Sequence, residues 1–154
     1  MAFPDSIMLW LSNWGIIVPI ACVLLSWDKK VILRSMVSVV MAFFLTDVFK
    51  VIFALPRPLN AGKSWFLSTP ADAYSFPSKH ASTSFALATS AVLHKKALGW
   101  TAAIFAVLIS ISRIYLRAHY WSDVIVGAIL GIGISYATDK LAVYFERSSR
   151  KKKR

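Results

Sequence analysis

Five apolar runs, parted by short polar or basic stretches, limit what this chain can fold into more than any other feature. They lie at Ile7–Trp27, Val31–Ala54, Ala81–Leu93, Ala97–Ser112 and Val124–Phe145. A bilayer-crossing helix needs about 20 predominantly apolar residues, because the hydrocarbon core is about 30 Å thick. Only 16% of the 154 residues are charged and 57% are hydrophobic, whereas a soluble domain carries about 25% charged residues. The runs therefore predict an all-α integral membrane bundle of about five transmembrane helices. The third run is short and rich in Ser, Thr and Ala, residues that let helix backbones approach closely, so it is expected at the enclosed centre. The first run is expected to be a retained helix rather than a signal peptide, since the leader MAFPDS has no positive charge and no convincing small-residue cleavage site follows. A single cysteine, Cys22, excludes an intramolecular disulfide framework.

Charge placement sets the orientation. With 18 Lys+Arg against 7 Asp+Glu the formal net charge is +11. Five spans send Lys29, Lys30, Arg34, Lys95, Lys96, Arg147, Arg150 and the tail Lys151 to Arg154 to one side. The positive-inside rule makes that side cytoplasmic. Residues 1–146 then form one membrane domain and residues 147–154 a basic cytoplasmic tail, in a multi-pass protein of the cell (inner) membrane. Topology accounts for the basic tail, so nucleic acid is not an expected partner.

The basic residues of the opposite, extracytoplasmic side are different in kind. Lys50 and Arg57 stand seven positions apart near the end of the second run, about two helical turns, and can point the same way. Two cations on one line suit an anion, although both could also snorkel to the interface. Asp47 lies deeper, and an Asp47–Lys50 pair is the expected use of that acid. In SFPSKHAS, Pro77 and Ser78 make a helix start, where free N–H groups and the positive end of the helix dipole attract anions. His80, in the first turn, is placed to give a proton to a departing oxygen.

The third cluster is SRIYLRAHYWSD, from Ser112 to Asp123. His119 and Asp123 are four apart and share a helix face, so the carboxylate can hold one imidazole nitrogen and leave the other as a nucleophile. Arg113 offers a planar fork for two phosphate oxygens. Arg117 serves either the interface or the substrate. All three clusters fall at helix ends on the same side of a five-span bundle.

These residues resemble the signatures of the type 2 phosphatidic acid phosphatase superfamily, which includes the vanadium haloperoxidases: Lys-x6-Arg-Pro, Pro-Ser-Gly-His and Ser-Arg-x5-His-x3-Asp. Here they read KVIFALPRP from Lys50, PSKH from Pro77 and SRIYLRAHYWSD from Ser112, in order and at the family spacing. The resemblance implies metal-independent hydrolysis of a phosphate ester or anhydride, with no cofactor, on that family's helical core. By it His119 attacks phosphorus, Asp123 orients it, and His80 protonates the leaving oxygen and then activates water. Lys50, Arg57, Ser78, Arg113 and the backbone N–H of Lys79 hold the phosphate oxygens. Phosphoryl transfer needs mainly positioning and cationic stabilisation, which such a set supplies.

Two departures stand out. Family members commonly have six membrane helices, so five imply a short member lacking one N-terminal helix. Lys79 stands where the motif has glycine. Its side chain is expected either to point to solvent or to meet a second phosphate or an acidic headgroup. The connection from Leu55 to Phe76 is long for a bundle, and Trp65, Phe66, Tyr74 and Phe76 suit the interface where an amphiphile enters. Gly127 and Gly131 form a G-x-x-x-G expected to pack helices. The partners implied are the bilayer and an amphiphilic phosphorylated lipid. First choice is a polyprenyl (undecaprenyl) diphosphate, whose second phosphate gives Lys79 a partner. Phosphatidic acid, phosphatidylglycerophosphate, lipid A and small soluble esters are alternatives, and a non-catalytic lipid-binding protein is the reading from another class.

Overall fold

A computed structural model of the chain describes residues 3–58, 70–94 and 96–152. Trp65, Phe66, Lys95, Lys153 and Arg154 lie outside the described residues, as does the side chain of Lys96. The described chain forms α1 Phe3–Trp14, α2 Ile17–Leu24, α3 Lys29–Phe53, a one-turn 3-10 helix at Pro70–Ala73, α4 Lys79–His94, α5 Lys96–Tyr115 and α6 Trp121–Lys152, with no strand among these residues. By length and composition α3, α5 and α6 can each cross a membrane. The protein is a multi-pass, all-helical membrane protein.

The first apolar run is two helices, not one. α1 and α2 meet at an angle of 46° and make a fourth span only if taken as one bent element. Gly15 sits at the break, where a Cβ would come within 2.4 Å of the Leu11 carbonyl oxygen and 2.9 Å of the Ile109 side chain. Pro19 falls in the first turn of α2, where its missing N–H costs the helix no hydrogen bond.

α4 is the enclosed helix, packed against α2, α3, α5 and α6. It has 16 residues, about 24 Å of helix, shorter than the hydrocarbon core. Its buried face is small, with Ala81, Ser82, Ser84, Ala86, Ala88, Ser90 and Ala91. Small side chains let the neighbours close in. A Cβ at Gly127 of α6 would stand 2.6 Å from the Ser78 carbonyl oxygen, and one at Gly131 2.1 Å from that of Ser82. The G-x-x-x-G is the seam between α4 and α6.

α3 starts on Asp28, whose Oδ1 accepts from the Lys30 N–H at 2.8 Å, and stops at Ala54 in the left-handed region (φ 47°). Its inner face is polar or small: Ser35, Ser38, Ala42, Thr46 and Lys50 are buried, while Leu33, Met36, Val40, Phe44, Val51 and Ile52 are exposed. Hydroxyls close the inner contacts, Ser35 to Ser90 at 2.6 Å and Thr46 to Ser82 at 2.8 Å. At the end remote from the histidine clusters, Arg34 bridges Asp139 at 2.6 Å and Glu146 at 2.9 Å, and His94 meets Asp139 at 3.0 Å. α6 continues unbroken through Arg147 to Lys152, so this much of the basic tail is helix.

Candidate active site

The ends of α3 and α5 and the starts of α4 and α6 meet at one end of the bundle. α5 closes there in a Schellman arrangement: the Arg117 N–H donates to the Ile114 carbonyl at 2.9 Å and the Ala118 N–H to that of Arg113 at 3.0 Å. Arg117 occupies the left-handed position (φ 52°) usually held by glycine. It is exposed, and its role is to turn the chain. The turn delivers His119, 3% exposed, to the interior.

Asp123 lies in the first turn of α6, 1% exposed, and serves two groups. Its Oδ2 accepts from the Tyr120 N–H at 2.9 Å, closing the helix start, and lies 3.4 Å from His119 Nδ1. Its carbonyl oxygen accepts from the Ser78 N–H at 2.9 Å, which ties the start of α6 to the start of α4. Ser78 Oγ in turn stands 3.5 Å from the Ala81 N–H.

Arg57 faces His119 from the other side. Its Nε and Nη2 donate to the Asp72 carbonyl at 3.1 and 2.9 Å, its Nη1 donates to the Ala118 carbonyl at 3.0 Å, and Nη1 lies 3.4 Å from His119 Nε2. A guanidinium can only donate, so that contact assigns the lone pair to Nε2 and the proton to Nδ1, facing Asp123. Burial pushes the His119 imidazole down to about 4, against the opposing pull of Asp123, so it is neutral near pH 7. Burial also lowers Arg57, and the Asp72 carboxylate works against that shift.

Lys50 and Arg113 come to the same end by different routes. Lys50 is fully buried and donates to the carbonyls of Tyr74 at 2.6 Å and Ser75 at 3.2 Å, under the chain that leads into α4. It does not snorkel. Arg113 Nη1 bonds Ser12 Oγ of α1, while its Nε is buried with no hydrogen-bond partner among the described residues. His80 is half-buried in the first turn of α4, and its imidazole hydrogen-bonds no described residue.

Lys79 corrects two expectations. Its side chain is not in solvent: it is 8% exposed, its Nζ lies 2.7 Å from Asp47 Oδ1 and 3.1 Å from Asp72 Oδ1, and it sits 4.2 Å over the Phe43 ring. Asp47 therefore pairs with Lys79, while Lys50 turns to backbone oxygens instead. The reason is one of level, since Lys79 opens α4 beside the turn of α3 that carries Asp47. Two contributors escaped the sequence reading. Asp72 lies 15 residues from Arg57, across the connection, and no spacing rule links them. Ser12 shows only as a polar residue in an apolar run. Among the described residues no group of three or more His, Cys, Asp or Glu side chains is arranged to hold a metal ion.

This arrangement presents a neutral, oriented imidazole with its lone pair directed at a guanidinium, beside a helix start, the buried Lys50 and the half-buried Arg113. It has the charge and shape to hold a tetrahedral anion against the unprotonated His119 nitrogen. The family model described as the PAP2 superfamily matches residues 32–147. The chain belongs to the PAP2 superfamily. An undecaprenyl-diphosphatase of Sulfolobus acidocaldarius is 33% identical over 139 residues, covering 86% of this chain and 68% of that protein. The undecaprenyl-diphosphatase BcrC of Bacillus subtilis is 25% identical over 138 residues, covering 86% and 72%. In fold the chain resembles the crystal structure of Aquifex aeolicus LpxE, with a TM-score of 0.71, 25% identity and coverage of 91% and 87%. It also resembles a PAP2-type phosphatidylglycerolphosphate phosphatase of Bacillus subtilis, at 0.70, 21% identity and coverage of 94% and 79%. The chain is thus a PAP2 lipid phosphatase of the membrane.

Proposed function

We propose that this PAP2 protein hydrolyses a polyprenyl diphosphate of the undecaprenyl type at the extracytoplasmic face of the cell membrane, through a phosphohistidine on His119. The observation that carries the mechanism is the disposition of His119, with Nδ1 facing Asp123 and Nε2 facing Arg57. Nε2 attacks phosphorus and the bond from phosphorus to the bridging oxygen breaks. His80 gives that oxygen its proton, so the lipid leaves neutralised at the scissile position. Water then attacks the phosphohistidine, His80 takes back a proton, and inorganic phosphate leaves with Nε2 restored.

Arg57 and Arg113 hold the equatorial oxygens, the latter through its Nε, which has no partner among the described residues. Backbone N–H groups of the first α4 turn, including that of Lys79, add the helix-start contribution, with Ser78 fixing the turn. Lys50 has a third N–H beyond its two carbonyl bonds and supplies positive charge beneath the site. The diphosphate preference draws on the two undecaprenyl-diphosphatase relatives and not on Lys79, whose ammonium is already held by two carboxylates. Orientation follows the basic residues: Lys29, Lys30, Arg34 and the end of α6 crowd the opposite pole, which the positive-inside rule places in the cytoplasm together with the C-terminus. Residues 1–146 act as one domain.

Phosphate release by purified protein in EDTA, from a panel of polyprenyl diphosphate, phosphatidylglycerophosphate, phosphatidic acid, lipid A and a water-soluble ester, tests the assignment. The expected result is fastest turnover of the polyprenyl diphosphate, inhibition by vanadate, and no release from a folded His119→Ala variant. Undiminished release by that variant refutes the mechanism, and a faster rate on another member of the panel replaces the substrate.

A further inference from the structure

The Lys79 side chain enters no step of that chemistry, yet it is buried among charges, which a membrane protein does not tolerate without a role. Its ammonium joins α3, through Asp47 and the Phe43 ring, to the Pro70–Ala73 turn, through Asp72. Asp72 is also the residue whose carbonyl oxygen receives both Nε and Nη2 of Arg57. The remaining Arg57 nitrogen is the one 3.4 Å from His119 Nε2. A continuous set of contacts therefore runs from Lys79 to the Asp72 carboxylate, through the Asp72 carbonyl to the Arg57 fork, and so to the nucleophilic nitrogen.

We propose that Lys79 is a positioning residue for phosphate: by clamping Asp72 between α3 and α4 it fixes the carbonyl that aims the Arg57 guanidinium across His119. This rests on the reading of Arg57 and His119 as the phosphate site.

Geometry favours this over direct contact with a second phosphate. Two carboxylates, at 2.7 and 3.1 Å, already meet the ammonium, which lies against an aromatic face. An approaching phosphate must displace or repel both. Arg57, in contrast, holds to the protein through two backbone oxygens, of Asp72 and Ala118. If the Asp72 turn drifts, the fork loses two of its three carbonyl bonds and turns on the one that remains. A guanidinium fork is useful to a phosphate only at a fixed angle, so this loss reads out as weaker phosphate binding. Freed from Lys79, the Asp72 carboxylate also becomes a competitor for the guanidinium it now flanks.

The test compares Lys79→Met, Lys79→Arg and Asp72→Asn with wild type, each alone and in an Arg57→Ala background. Readouts are KM and kcat on a lipid monophosphate and a lipid diphosphate, and the vanadate inhibition constant. Lys79→Met is expected to raise KM and the vanadate constant by about tenfold on both substrates, as for groups sharing one hydrogen-bonded network. Lys79→Arg, which keeps the charge, is expected to recover most of that loss, and Asp72→Asn to resemble Lys79→Met. In the Arg57→Ala background the Lys79→Met effect is expected to vanish, because the group it positions is gone.

Additive losses in that background overturn the proposal and leave Lys79 a purely structural clamp. A loss confined to the diphosphate overturns it in favour of second-phosphate contact. If Lys79→Met does not fold, Lys79→Arg and Asp72→Asn in the same two backgrounds decide by the same criterion. Failure of wild type to release phosphate from any lipid, or full activity of His119→Ala, removes the underlying site reading. A null effect of Lys79 with both of those intact removes only this inference.

Discussion

Under the proposed mechanism, Asp123→Asn separates orientation of His119 from stabilisation of the charge it acquires. The substitution keeps the side chain's size and an oxygen for the Tyr120 N–H, but removes a negative charge 3.4 Å from His119 Nδ1. While the imidazole is neutral little is lost, so KM is expected to stay within about threefold of wild type. In the proposed mechanism the ring gains positive charge as Nε2 bonds to phosphorus. Two unit charges at that 3.4 Å separation attract by about 5 kcal/mol at an effective dielectric of about 20. With half to all of a unit charge developed, the barrier rises by about 2.5–5 kcal/mol, a fall in kcat of about 70-fold to about 5,000-fold. An amide that turns its N–H towards Nδ1 favours the wrong tautomer and deepens the loss. The assay is phosphate release from lipid diphosphate in mixed micelles containing EDTA, with kcat and KM separated and folding checked by melting temperature. A folded variant with kcat within about fivefold of wild type refutes the role of Asp123 in charge stabilisation, and so does a loss expressed wholly in KM.

The depressed His119 value predicts that the acid limb of kcat/KM set by this group lies near pH 4 rather than near 6.5. Stability follows the same sign: the unfolded imidazole takes its proton first, so this group's contribution is complete above 6.5 and lost as pH falls towards 4, which melting curves at several pH values measure. Gly131→Ala forces a Cβ onto the Ser82 carbonyl, whereas at Gly133 nothing lies within 4 Å. The first is expected to cost about 1–3 kcal/mol and Gly133→Ala to gain up to about 1 kcal/mol, read from thermal unfolding in detergent. Arg117→Gly relieves the left-handed position after α5 and is expected to stabilise by about 0.5–1 kcal/mol on the same assay, with kcat unchanged.

Much of the site was legible because its groups sit where helices begin and end. A helix start carries unpaired N–H groups and a positive dipole whatever the tertiary structure, and Pro77-Ser78 marked the start from which α4 runs. His119 and Asp123 are four residues apart, and their contact at 3.4 Å survives although His119 stands in the turn and Asp123 in the first turn of α6. The bend at Gly15 was not legible, because an apolar run reads the same whether it is one helix or two, and the close approach of Ile109 belongs to the packing. Asp72 was hidden for a similar reason. Its pairing with Lys79 and its hold on Arg57 depend on where the connection between α3 and α4 returns to the bundle.

Lys50 marks the boundary between these cases. Taken alone, a lysine near the end of an apolar run is equally a snorkelling residue and a buried one. Its neighbours at helical spacing decide the matter: Ser35, Ser38, Ala42 and Thr46 form with it a stripe of steps of three and four. In a membrane the lipid-facing side must be apolar, and helix interfaces gather small and hydroxyl side chains. A polar stripe therefore faces the bundle, and a lysine at its end is carried inward with it. The complete burial of Lys50 beneath the chain that enters α4 is the outcome that pattern dictates. Because the stripe runs the length of α3 and ends on a cation, the interior polarity of the helix and the charge of the site share one sequence origin.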